Sequence, residues 1–87
     1  MGYLKAKMAM HKKNPKMAHD LAISSENKFD LHVLSRSSDS ETRRRVAYNR
    51  HTALFSLRRL KDDPVKVVSD TARHRLEQRR ERHVHKD

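Results

Sequence analysis

The residues in this sequence best equipped for chemistry are its cations. Arg43-Arg44-Arg45 is followed by Tyr48, Arg50 and His51, and residues 42–61 carry a net +7 without a single acid. Lys12, Lys13 and Lys16 lie in a second acid-free stretch, residues 1–19, and Arg73 opens a third basic block toward the C-terminus. Seven cations in twenty residues repel one another, and an anionic partner removes that cost. Guanidinium groups beside an exposed aromatic suit phosphate contact and base stacking, so Arg43, Arg44, Arg45, Tyr48, Arg50, Arg73, Lys12, Lys13 and Lys16 are the candidate nucleic-acid-binding residues. Taken singly, each arginine is better accounted for as a solvated helix surface; the acid-free block as a whole is what calls for a partner.

Other chemistry is poorly provided for. Cysteine is absent, which excludes disulfides, thiolate metal sites and cysteine nucleophiles. His83-x-His85 beside His74 is a weak metal motif with few carboxylates near it, so no metal and no cofactor is expected. No nucleophile–base set, phosphate-binding glycine loop or paired carboxylate occurs, and the expectation is a non-enzymatic protein. Met1, Met8, Met10 and Met17 cluster near the N-terminus as core filler or as an adaptable contact surface.

The elements that must position these residues are short helices. The 87 residues carry 21 Lys+Arg against 11 Asp+Glu, a net +10, and only 34% are apolar, so one small domain with a thin core is expected. A single glycine leaves too few turns for a β-protein of this size. No apolar run approaches the ~18–20 residues of a spanning helix, and Met1–Met17 holds no continuous apolar core of a signal peptide. The expectation is a soluble, cytoplasmic protein for which nucleoid association is open.

Cap chemistry sets the helix starts. Asn14-Pro15 and Asp63-Pro64 each place a cap before a proline, and Ser38-x-x-Glu41 forms a capping box with Asp39 as the alternative cap. Asn27 and Thr52 are placed to cap the helices between. Asn14, Asp39 and Asp63 are 25 and 24 residues apart, and Asn27 and Thr52 are 25 apart. Apolar positions keep the period: Leu21-Ala22, Val46-Ala47 and Thr71-Ala72, preceded on the same face by Met17, Thr42 and Val67. Leu31/Leu34 match Leu57/Leu60 in the intervening helices. These spacings predict an all-α fold, a short α-solenoid of about three helical-pair repeats with a period of about 25. A non-repetitive bundle with evenly spaced caps is the alternative. Residues 1–76 form the repeat domain, and 77–87 a projecting basic helical tail that frays because Val84 is its one apolar residue.

One unit carries a specific pattern. Arg43, Val46, Ala47, Asn49, Thr52, Leu57, Leu60 and Asp63 follow in the order found in the variant leucine-rich repeats, a HEAT-like class that this chain resembles over about residues 4–76. Leu21-Ala22 with Asn27, and Thr71-Ala72 with His74, are degenerate flanking units. The resemblance implies alternate helices of 3₁₀ character and a binding scaffold without activity of its own. Members of the family with metal-cluster extensions carry cysteines, which this chain lacks.

At the 25-residue offset Arg44 aligns with His19, and Tyr48 with Arg73, which predicts a row of His19, Arg44, Tyr48 and Arg73 along one helix layer, with Arg58 and Arg59 on another side. The leading expectation is a module that binds DNA or RNA through phosphates. The rival is a small adaptor or inhibitor, of the kind a mobile genetic element carries, that docks on an acidic protein through anchors such as Tyr3, Met8 and Phe29.

Overall fold

The structure, a computed structural model, describes residues 14–85, with side chains described for residues 14–80. Lys12 and Lys13, Tyr3, Met1, Met8 and Met10, and the rest of the acid-free N-terminal stretch up to residue 13 lie outside the described residues, as do the side chains of His83 and His85. Five helices follow one another: α1 (Pro15–Ser24), α2 (Lys28–Leu34), α3 (Ser40–Tyr48), α4 (Leu54–Leu60) and α5 (Lys66–His85). No strand occurs among the described residues.

Three of the starts follow from local cap chemistry. Asn14 accepts from Met17 N–H, with Pro15 as the first helical residue, and Asn27 accepts from Phe29 and Asp30 N–H. Asp39, rather than Ser38, caps α3: its carboxylate accepts from Glu41 N–H and from the Thr42 hydroxyl. Two other expectations are corrected. Thr52 does not cap α4; its buried hydroxyl donates 2.6 Å back to the Val46 carbonyl, and α4 starts from Ala53 with no side-chain cap. The Asp63-Pro64 pair does not put proline at the first helical position, because Asp63 holds Val65 N–H at 2.9 Å in a turn and α5 starts at Lys66. The helices expected to be 3₁₀, α2 and α4, are α-helical and tighten only at their ends: Ser35 N–H bonds both Leu31 O and His32 O, and Asp62 and Asp63 N–H bond Arg59 O and Leu60 O after α4.

None of the first four helices is long enough to be stable alone, so packing must hold them. The middle helix α3 lies against α1 on one side and α5 on the other; α2 touches α1 and α3, and α4 touches α3 and α5. Small residues let the main layer close up: Ala22, Ala47 and Ala72, spaced by 25, are all fully buried. Leu31, Leu34, Leu57 and Leu60 supply the bulk from α2 and α4 at 0–1% exposure, each contributing about 1.5–3 kcal/mol by burial. The row Met17, Thr42, Val67 is covered only in its centre. Thr42 has a helix on either side and is buried, whereas Val67, at the end of the row, is 51% exposed and Val68 turns into the core instead.

The result is an all-α fold of five helices in a compact globule. Its radius of gyration is 12.7 Å, against about 12 Å for an ordinary globular chain of this length. The 20-residue α5 spans roughly 30 Å and crosses residue 76 without interruption, and Arg79 donates 2.9 Å to the Arg50 carbonyl. No helix among the described residues is long and apolar enough to cross a membrane.

Candidate nucleic-acid interface

The three arginines of the 43–45 triplet have separate environments. Arg43 sits one helical step from the core, and its guanidinium reaches across to Asp63 in the turn before α5. Nε and Nη2 bond the two Asp63 oxygens at 2.7 and 3.2 Å, and Nη1 donates 2.8 Å to Ser37 O. The Arg43 and Asp63 side chains are 13% and 6% exposed. Burial works to raise the Asp63 pKa, but the bonds from Arg43 and Val65 N–H outweigh it and hold the carboxyl below its ordinary range. Arg43 is therefore a structural clasp.

Arg44 and Arg45 face the other way and share one acid. Arg44 bonds both Glu41 oxygens at 2.9 and 2.6 Å, and Arg45 Nε donates to Glu41 at 2.8 Å. The bonds from the two guanidinium groups pull Glu41 down to about 2, and the bond to the Glu41 carboxylate raises Arg44 above its ordinary value. Two cations on one carboxylate leave a net positive charge here.

These two arginines line a cleft of about 730 Å³ with Tyr48, Asn49, Arg50 and His51, the end of α1 at Ile23, Ser24 and Glu26, and Arg75 from α5. A second depression of about 600 Å³ adjoins it, sharing Arg50, His51 and Arg75 and adding Gln78 and Arg79. Among the described lining residues of both, Glu26 is the one acid. The carboxyl ends of α1 and α3 reach this cleft, and helix carboxyl ends by themselves repel anions. Asn49 offsets the first: its buried amide donates to the carbonyls of Ala22, Ile23 and Ser25 at 2.9–3.2 Å. The same side chain accepts 2.7 Å from His51 N–H, so it also fixes the turn carrying Arg50 and His51. Tyr48, the last residue of α3, projects 67% exposed, with the Arg75 guanidinium 5.5 Å from its ring centre.

Arg44, Arg45, Tyr48 and Arg50 are thus brought together. Lys16 is exposed on the first turn of α1 outside the cleft, and Arg73, also outside it, donates 3.1 Å to Lys61 O. His19 leaves the expected row with Arg44: its Nε2 hydrogen-bonds the Asp39 carboxylate. That contact, with the Thr42 and Glu41 donors, holds Asp39 below the usual carboxylate range against a smaller effect of burial. Arg75 and Arg79 are the cleft residues absent from the sequence-based set. Their signal lay in their spacing, three and seven residues beyond Ala72, which carries them along the packed face of α5 toward α3.

A different surface lies on α2 and α4. Phe29, Leu54 and Phe55 are 40–52% exposed there. His32 hydrogen-bonds Ser56 at 2.8 Å and meets the Phe55 ring edge-on. Burial, then the charges of Arg59 and Arg36, lower the His32 pKa, so this ring favours its neutral form.

No family model matches the chain, and no curated protein or solved structure matches it.

Proposed function

We propose that this protein is a non-enzymatic nucleic-acid-binding module whose basic cleft grips phosphates. The observation that carries the reading is the convergence of Arg44, Arg45, Arg50, Arg75 and Arg79, from two helices and a turn, around two adjoining depressions with one acid among their described lining residues. Among the described residues neither Arg50 nor Arg75 has an acid partner. A concave, water-lined surface of this sign concentrates polyanions and engages them through phosphate contacts that need no base sequence.

The scaffold in this reading is a short helical repeat of the variant leucine-rich kind, one helical pair following another. Two features support it beyond the buried alanines. His19–Asp39 and Arg43–Asp63 are the same contact, each spanning 20 residues, made once at each junction. His32–Ser56 links the shorter helices over 24 residues. So few units cannot draw out into an elongated stack, which accounts for the compact dimensions. The cleft then lies where the carboxyl ends of α1 and α3 meet the middle of α5.

The test is fluorescence anisotropy with labelled duplex DNA, single-stranded DNA and RNA from low to physiological salt. Binding that survives physiological salt, with a log–log slope of about −0.9 per duplex phosphate contacted, is expected. Arg50→Glu/Arg75→Glu abolishes it while the circular dichroism is unchanged. Glu41→Gln, which removes the shared counter-charge of Arg44 and Arg45, tightens it. Affinity lost on every substrate by physiological salt overturns the reading.

A second reading rests on Phe29, Leu54 and Phe55, an exposed apolar face beside Lys28, Arg58 and Arg59 that fits an acidic protein partner. Pull-down that is lost in Phe29→Ser/Phe55→Ser but kept in the cleft variant supports it.

A further inference from the structure

The apolar residues of the cleft carry more information than its charges. Of the large apolar side chains among the described residues, the two most exposed are Tyr48 at 67% and Ile23 at 60%, and both line the arginine cleft. An aromatic ring left in water beside cations contributes nothing to the core, and phosphate contacts alone do not use it.

The ring is also firmly mounted. Tyr48 ends α3, and the next residue, Asn49, is 8% exposed and bonded to three carbonyls of the α1 end. The Asn49 N–H bonds Arg45 O and Val46 O, closing the last turn of α3 beneath the ring. Arg75 stands 5.5 Å from the ring centre, and Ile23 is presented from α1. Cations to track a backbone and a fixed aromatic to stack a base are the two parts of a single-strand site.

We propose that the cleft holds a single strand of nucleic acid, with one base stacked on Tyr48 and the flanking phosphates on Arg50 and Arg75. This rests on the nucleic-acid reading above and narrows it. In a duplex every base face is covered by its neighbours, so a ring on the cleft wall has no base face to stack on. In a single strand a base can turn out and lie on the ring. Ile23 then provides an apolar wall for that base or the next. The contact is tolerant of base identity, because every base presents a π-face.

The experiment compares three labelled ligands at physiological salt on the full chain: oligo(dT) or oligo(rU) twelve-mers, an abasic twelve-mer with the same phosphates, and a blunt duplex of matched phosphate number. The base-bearing strands are expected to bind about tenfold more tightly than the abasic one. Tyr48→Ala removes that difference and leaves abasic binding unchanged, whereas Tyr48→Phe keeps it. The side chain is exposed, so neither variant threatens folding. Equal affinity for base-bearing and abasic strands, or a duplex bound more tightly than the single strand, overturns this inference and leaves the phosphate reading standing. No binding to any of them overturns both.

Discussion

The molecule makes the same contact twice with different residues. At the first junction His19 of α1 meets Asp39, the cap of α3; at the second Arg43 of α3 meets Asp63, just before α5. Both pairs are 20 residues apart, and both acids also hold the backbone N–H two residues on, inside α3 for Asp39 and in the turn leading into α5 for Asp63. The settings differ. Arg43 is 13% and Asp63 6% exposed, against 28% and 41% for His19 and Asp39. A guanidinium also fills both oxygens of its partner and has a third arm left for Ser37 O, whereas an imidazole engages through one nitrogen. The second junction is therefore a closed clasp and the first a surface latch. Burial, more than the presence of an ion pair, decides what each is worth.

The largest effect follows from leaving Asp63 without its partner. A carboxylate 6% exposed and stripped of its guanidinium costs on the order of 3 kcal/mol. Arg43→Met should lower stability by about that much in urea denaturation, while His19→Ala should cost less than about 1 kcal/mol. Equal losses from the two variants would break the comparison.

Asn49 comes next. It belongs to neither ion pair, yet it ties the end of α1 to the turn after α3 through three donated bonds and one accepted. Asn49→Ala strands buried carbonyls and should cost about 2 kcal/mol. Asn49→Asp should cost more, because a carboxylate in that position faces three carbonyl oxygens with no hydrogen to offer. Thermal melts of the two variants order them. Because Asn49 also fixes the turn carrying Arg50, nucleic-acid affinity should fall in Asn49→Ala even below its melting transition.

How much of this was legible in the sequence depends on how local the deciding interaction is. Asn14, Asn27 and Asp39 cap because an Asx oxygen reaches its own helix start, and no distant residue competes. The buried alanines were legible because the 25-residue period returns the same face of each long helix to the core. Thr52 was not, since its hydroxyl had two possible partners and the choice went to a carbonyl six residues back. His19 keeps the helix position of Arg44, by the same 25-residue spacing that relates the buried Ala22 and Ala47. What the sequence hid is that Asp39 and Asp63 are 24 apart, so the acid at the second junction is reached by Arg43 and not by Arg44. Arg44, Arg45, Tyr48 and Arg50 were identified and do share a cleft, yet the residues that complete it, Arg75 and Arg79, depend on where α5 crosses α3.

The acid limb of stability separates the two junctions by a different route. Asp39 and Asp63 both have folded-state pKa values below their ordinary ones. A depressed carboxylate contributes stability that is fully present above the unfolded value of about 3.9 and is lost as pH falls through the folded one. Stability should therefore hold near neutrality and decline below about pH 5. Urea midpoints of Arg43→Met should decline less steeply over that range than those of the parent, because Asp63 no longer gains a partner by folding. Those of His19→Ala should lose only the Asp39 share of the slope. Parallel acid limbs in parent and Arg43→Met would place the titration elsewhere.

The smallest effect is the one that sharpens the comparison most. His19→Arg rebuilds the first junction with the chemistry of the second, since the two side chains make corresponding contacts. If residue type set the strength of a junction, the gain would approach what Arg43→Met loses. If burial sets it, the new guanidinium meets a carboxylate that is 41% exposed, water competes for both, and the gain stays within about 0.5 kcal/mol. The exposure of Asp39 predicts the second result. The gain should also fade in high salt, since exposed pairs are screened far more than the buried Arg43–Asp63 clasp. A salt series on His19→Arg and on the parent therefore distinguishes the identity of the cation from the shelter the fold gives it.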